Sequence, residues 1–346
     1  MKKLFFLAGC TALVLSSCSN EIDETDQVPM VNGKEQIRFN AYTPNMTRAD
    51  ISDIQAKGFE LLTSTETANA TGEEYEFTPY TIGLANNTWC VASLSDDAKT
   101  WIAAPNEEQL YWPENPTEEV TFYATYADGL NTSSKWFEGT VNWIFSGIDG
   151  TKDLLASRTY GTKANSTNGA NISFNHILAN LQVEIKAPDT YYTYKVTKVT
   201  YYGAEKGSYF FGNKEMDELQ GAPSDDVYAE YDYNEETYEP ILKEFPIYNV
   251  PTGETVTTTS ATSIGSGIYV LPQDGNSKLV ISYTRTAAGL EAGEQMPDAE
   301  LSSVNLANSG SIYKYVITLP SEEAKQIKFN VRVTDWTSGT DETVGL

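Results

Sequence analysis

The chain has 346 residues, more than one hydrophobic core usually serves, so two domains of roughly 150 residues each are expected. Apolar residues make up 40% of it and aromatics 12%, enough for ordinary globular cores. A formal charge of −25 excludes a basic face for nucleic acid or anionic lipid and fits a self-repelling surface outside the cytoplasm.

In chain order, the first 18 residues read as a signal rather than as structure. Lys2 and Lys3 form a basic start, and "LFFLAGCTALVL" is an apolar run too short to span a bilayer. "LSSC" at 15–18 resembles a bacterial lipobox, in which the cysteine is acylated and becomes the new N-terminus. Cys18 is therefore the expected lipidation site. Cys10 leaves with the signal, so Cys90 stands alone and no intramolecular disulfide is expected. Several acyl chains on one cysteine hold firmly, since each buried methylene contributes about 0.8 kcal/mol. Glu21, Asp23, Glu24 and Asp26 follow at once, and residues 19–35 read as an acidic linker.

"QIRFNAYT" (36–43) opens the ordered part as a strand. Short β-like runs follow, among them "KGFELL", "YEFTPYTIGL", "TWCVASL", "EVTFYATYA" and "GTVNWIFSG", separated by turn formers such as "WPENP" and "DGLNTSS". In "VTFYATYA", Val120, Phe122, Ala124 and Tyr126 share one face and Thr121, Tyr123 and Thr125 the other, a period of two. "ISDIQAKG" (51–58) fits a short helix; nothing else carries a helical stripe. The polar stretch "GTKANSTNGA" (161–170) suggests a boundary between domains 36–165 and 166–346. The second half repeats the strand pattern in "YKVTKVTYYG", "SGIYVLP", "KLVISYTRT" and "IKFNVRVTDW". Tyrosine, threonine and valine are plentiful throughout, as in pleated surfaces. The expected fold is all-β: two β-sandwiches in tandem, each of about seven strands.

The chemical inventory points away from an enzyme. One histidine is too few for a His-rich zinc site, and one remaining cysteine for a thiolate cluster. A Cys90–His176 pair is conceivable, but both residues sit in half-apolar, strand-like surroundings, and a catalytic carboxylate pair among the 48 Asp and Glu residues would need a deep cleft that two small sandwiches rarely supply. No phosphate-binding glycine loop is present, and no cofactor is expected. The acidic, tyrosine-rich stretch 222–240 offers Asp225, Asp226, Glu230, Asp232, Glu235 and Glu236 as oxygen ligands, but not at the spacing of an EF-hand loop. It reads first as a solvated insertion. Its tyrosines, with Trp101, Trp112, Trp136 and Trp143, are candidates for stacking on sugars or a protein partner, although aromatics in sandwiches are more often core.

The only histidine lies in "ISFNHILANLQVEIK" (172–186). Ile172 and Phe174 are apolar at even positions; Ile177, Ala179, Leu181, Val183 and Ile185 are apolar at odd ones. A strand cannot change parity without a bulge, a turn or a passage from one sheet to another. His176 marks that switch, so an architectural role is expected of it rather than a catalytic one.

Several motifs in order resemble the fimbrillin-like lipoproteins, the subunits of type V pili. They are the lipobox, "IRFNAYTPNMTRA" (37–49), "LYWPENPTEEVTFYATYADG" (110–129), "DLLAS" (153–157), "FNHILANLQVEI", "IYVLPQ" (268–273) and the closing "IYKYVITL…IKFNVRVTDW" (312–336). The resemblance covers nearly the whole chain. It implies two transthyretin-like sandwiches, export as a surface-exposed outer-membrane lipoprotein, proteolytic release of the first strand, and a place in a cell-surface fimbrium. Assembly would then be by strand exchange with other fimbrial subunits, a form of β-augmentation. It implies Arg48, in "NMTRAD", as the processing site, with Arg38 second because it lies inside the strand. Only "TSGTDETVGL" follows Trp336, short and polar for a donor strand, which leaves tip, accessory or basal positions open beside the stalk. A tip subunit would meet host or bacterial surface ligands. The alternative is a monomeric surface lipoprotein that binds glycans or host ligands.

Overall fold

The computed structural model describes residues 30–31, 34–42, 59–65, 78–80, 90–94, 101–103, 110–127, 129–137, 140–167, 169–212, 225–273, 275–287, 289–290, 293–321, 327–335 and 341–344. Strands β1 (Met30–Val31) and β2 (Lys34–Glu35) pair as a small antiparallel hairpin. The linker expected over 19–35 thus ends in paired strands, too short to show a period in sequence. The helix expected at 51–58 lies outside the described residues.

The first large sheet takes β3 (Phe39–Tyr42), β4 (Phe59–Thr65), β5 (Thr78–Tyr80), β6 (Cys90–Leu94), β7 (Trp101–Ala103) and β8 (Glu119–Ala127). After β9 (Asn131–Phe137) and β10 (Thr140–Ser146), it is completed by β11 (Leu154–Thr162), β12 (Ala170–Ser173) and β13 (Asn175–His176). The spatial order is β12-β3-β7-β6-β4-β8-β11-β13, with β5 beside β4. The two end strands are neighbours in sequence, so the sheet curls back on itself. Its inner face encloses a core that includes Ile37, Phe39, Phe59, Leu61, Phe122 and Phe174. The period of two in β8 places Val120, Phe122 and Ala124 in that core. Tyr123, on the other face, is buried as well, edge-on to Phe211 with ring centroids 5.4 Å apart.

The chain then runs through β14 (Ala179–Lys186), β15 (Tyr192–Gly203), β16 (Lys206–Phe211), β17 (Asp226–Glu230), β18 (Asp232–Tyr233), β19 (Pro240–Ile241) and β20 (Lys243–Val256). It continues with β21 (Thr262–Ser263), β22 (Ile268–Val270), β23 (Lys278–Ala287), β24 (Glu294–Gln295) and β25 (Ala299–Leu301), and ends with β26 (Ser311–Thr318), β27 (Lys328–Asp335) and β28 (Asp341–Val344). A sheet ordered β21-β14-β26-β27-β28, with β22 on β14, packs on one ordered β20-β15-β23-β24, with β25 on β23. Between them lie Leu181, Val183, Tyr201, Ile281, Tyr315 and Ile317, all buried. Regular alternation in β26, with Tyr313, Tyr315 and Ile317 inward, makes one face of that sheet apolar.

A four-stranded sheet ordered β17-β16-β10-β9 crosses the sequence halves, pairing Val141 with Phe211 and Trp143 with Tyr209. Its apolar face joins the second core and covers the outer face of the first sheet through Tyr123 and Ala156. The fold is all-β, with sandwiches in tandem. The polar stretch 161–170 leads into β12, which still belongs to the first sheet, so the chain changes core after Phe174.

Candidate assembly interface

The segment from Gln36 to Tyr42 contributes to the first sheet and its core. Ile37 and Phe39 point inward and are buried, while Arg38 and Asn40 alternate with them at the surface. Phe39 meets Phe122 edge-on at 5.4 Å, and Trp112 meets the same ring at 6.0 Å. Before β3 the backbone is held by Ile37 N–H donating to the Leu110 carbonyl (2.8 Å) and Trp112 N–H donating to that of Glu35 (3.0 Å). Lys163 closes the entrance with an ion pair to Glu35 at 2.9 Å.

On one side β3 runs parallel to β12 over four residue pairs, Phe39 with Ala170 through Tyr42 with Ser173. On the other side Phe39 pairs antiparallel with Trp101 of β7, and the positions just before Trp101 fall outside the described residues. The neighbour β12 is short, and its Ala170 N–H donates to the Arg38 carbonyl at 2.7 Å. Withdrawing this segment would open an apolar slot beside Trp112, Phe122 and Ile172 and would expose two strand edges, a template for another strand.

Of the sequence-derived site residues, Cys18 and Arg48 lie outside the described residues. Arg38 stands just before β3 rather than within it, half-buried, with its carbonyl engaged by Ala170. Cys90 opens β6, and His176 closes β13; three strands separate β6 from β13 along the sheet. His176 instead pairs with Asp153, its Nδ1 in contact with the Asp153 Oδ2. This partner was not foreseen, because only the register of Leu155 opposite His176 brings residues 153 and 176 together.

The parity argument holds in space. Ile172 and Phe174 belong to the first core, and Ile177, Leu178, Ala179, Leu181, Val183 and Ile185 to the second. His176 and Asp153 stand where the chain crosses between them. Trp112 and Trp143 are core residues, whereas the side chains of Trp101 and Trp136 lie outside the description. In the acidic stretch, Asp225 pairs with Arg158 at 3.0 Å and Asp232 with Lys206 at 2.6 Å. Among the described residues no three His, Cys, Asp or Glu side chains converge on a metal position.

The end of the chain is also paired. Strand β28 adds antiparallel to β27, Val344 opposite Val331 and Asp341 opposite Thr334. The polar tail therefore covers an edge of its own sheet.

A sheet curled around one core and a sandwich around the next define an all-β architecture of packed sheets. The model of the fimbrillin-like family matches residues 47–336, and the chain belongs to that family. Membership carries a fimbrial or adhesive role at the cell surface and sets the chain apart from enzymes. Among solved structures, a fimbrial protein from Bacteroides vulgatus is similar at 16% identity and a TM-score of 0.61, covering 87% of this chain and 99% of that one. A proposed cell adhesion protein from Bacteroides ovatus shows 16% identity, a TM-score of 0.45, and coverage of 88% and 98%. Another from Bacteroides uniformis shows 15%, 0.43, 87% and 99%. No curated protein matches the chain.

Proposed function

We propose that this chain is a fimbrial subunit of the tip or accessory kind, exported as an outer-membrane lipoprotein through Cys18 and assembled by strand exchange after cleavage at Arg48. The observation that carries the proposal is the packing of the first strand. Ile37 and Phe39 fill the first core, and β3 lies between β12 and β7 in the sheet, so its loss would leave an apolar slot flanked by two strands. Arg48 follows the strand, so a cut there leaves Gln36–Tyr42 attached only through its N-terminal side and its non-covalent contacts. A strand from a second subunit would restore the inward apolar pair and the ladder with β12.

The test compares residues 19–346 with residues 49–346. The longer form should stay monomeric, and the shorter should oligomerise or take up the peptide "QIRFNAYTP" stoichiometrically in light scattering and native mass spectrometry. A stable shorter monomer that ignores the peptide would refute strand exchange. Separately, Cys18→Ala should release the protein from the membrane fraction; continued membrane association would refute the lipid anchor.

A further inference from the structure

Exposed large apolar side chains are concentrated in one short region. Of seven such residues among the described ones, Tyr228, Tyr233, Tyr238 and Ile241 lie between residues 228 and 241, at 47%, 55%, 81% and 57% exposure. The same region, 225–241, holds seven carboxylates and no lysine or arginine. Two of the seven are already engaged inside the molecule, Asp225 by Arg158 and Asp232 by Lys206. Glu230, Glu235, Glu236 and Glu239 remain at the surface beside the tyrosines.

The hairpin β18–β19, which carries Tyr233, Tyr238, Glu235, Glu236 and Glu239, is firmly built although residues 232–239 are all exposed. The Asn234 side-chain oxygen accepts from Glu236 N–H (2.9 Å) and Thr237 N–H (3.0 Å), and Tyr238 N–H donates to the Asn234 carbonyl (2.9 Å). At its base, the Tyr231 hydroxyl bonds Gln273, whose amide in turn bonds the buried Tyr201. Tyr238 itself is held at φ 55°, in the left-handed region that side chains other than glycine seldom adopt. Folding gains little at the tip: Tyr238 is 81% exposed, its backbone is strained, and the neighbouring carboxylates repel one another, although Tyr233 meets the Tyr231 ring at 6.5 Å. Tyr233 and Tyr238 stand exposed within a few residues of Glu235, Glu236 and Glu239, and exposed aromatics held on a firm turn mark places where another molecule binds.

We infer that the β18–β19 hairpin, residues 232–241, is a docking surface for an arginine-bearing face of a protein partner. Charge complementarity selects that occupant. Tyrosine ring faces attract cations, and a guanidinium both stacks on such rings and forks onto carboxylates. The four surface glutamates disfavour phosphate, sulfate and acidic sugars. The inference is independent of strand exchange, since among the described residues β18 and β19 pair with each other and not with the first sheet.

The probe is a fluorescent peptide of alternating arginine and glycine, with its lysine counterpart, titrated by anisotropy against residues 19–346 at roughly physiological salt. The arginine peptide should bind more tightly than the lysine peptide. Y233S/Y238S should lose about tenfold in affinity, while Y233F/Y238F, which keeps the rings, should bind as the parent does. E235Q/E236Q/E239Q should lose at least as much. E114Q/E254Q/D298N removes the same charge from exposed positions elsewhere and should bind within about twofold of the parent. The inference is overturned if Y233S/Y238S, shown folded by circular dichroism, binds like the parent, or if the remote triple variant loses as much as the hairpin one. Tyrosine-dependent binding of neutral oligosaccharides without arginine binding would overturn it too, in favour of a glycan site.

Discussion

His176 Nδ1 meets Asp153 Oδ2 at the point where the chain leaves one core and enters the other. The imidazole stands on β13, paired with β11, two residues after Phe174 fills the first core and one before Ile177 enters the second. Asp153 also accepts from Leu154 N–H at 2.8 Å, so the contact fixes the start of β11 to the end of the first sheet. Both side chains are largely shielded from water. Removing the imidazole should therefore cost about 1–2 kcal/mol. His176→Ala is expected to lower the urea midpoint of 19–346, whereas a surface control such as Glu114→Ala leaves it in place. An unchanged midpoint would show that the pair contributes nothing to the crossing.

Gly310 belongs to the same crossing. Its N–H donates to the Leu178 carbonyl at 3.0 Å, and its φ is +63°. A Cβ at this position would sit 3.0 Å from the His176 carbonyl oxygen, backbone that has little room to give. The left-handed conformation alone costs a residue with a side chain roughly 1–2 kcal/mol. Gly310→Ala should thus lower the melting temperature, and pairing it with His176→Ala in a double-mutant cycle should give a non-additive loss, because both act on one stretch of backbone.

Much of this crossing is readable in the one-dimensional pattern. The parity change between Phe174 and Ile177 is a property of side-chain period, and period survives any arrangement of the sheets. Leu178 already departs from it: it is apolar at an even position and fully buried, because the residues at the crossing are covered on both sides. Pairings between distant strands left no such trace. Nothing in "GTVNWIFSG" announces that Trp143 will lie opposite Tyr209, and this pairing ties residues of the first half to the second core. The hairpin of β1 and β2 escaped because two-residue strands have no period at all. The strand in "QIRFNAYT" was legible; its neighbours β12 and β7 were not, since they depend on which strands arrive beside it.

The first strand offers a direct measurement of packing. Phe39 is fully buried against Phe122, and truncation to alanine leaves a cavity in a curled sheet that has little freedom to collapse. Phe39→Ala in 19–346 should cost about 3–5 kcal/mol in chemical unfolding, and Asn40→Ala, on the outward side, well under 1 kcal/mol. Equal losses at the two positions would mean that the inward and outward faces of this strand are assigned the wrong way round.

Glu60 provides the pH dependence. It lies on β4 directly opposite Thr125 of β8, and its Oε2 is buried without a hydrogen-bond partner. Burial raises its pKa above the ordinary carboxylate value, because the charged form loses its hydration. The native state then holds this proton at pH values where the unfolded chain has released it. By linkage, stability from this group is complete below the unfolded value near 4.5 and declines as pH rises through the raised native one. Glu60→Gln, which keeps the shape and cannot ionise, should accordingly melt higher than the parent at pH 7 and together with it at pH 4. A variant that melts lower than the parent at pH 7 would show that the glutamate is ionised and held by a partner there. The comparison needs only thermal scans at the two pH values, with Glu114→Gln as an exposed control whose melting temperature should follow the parent at both.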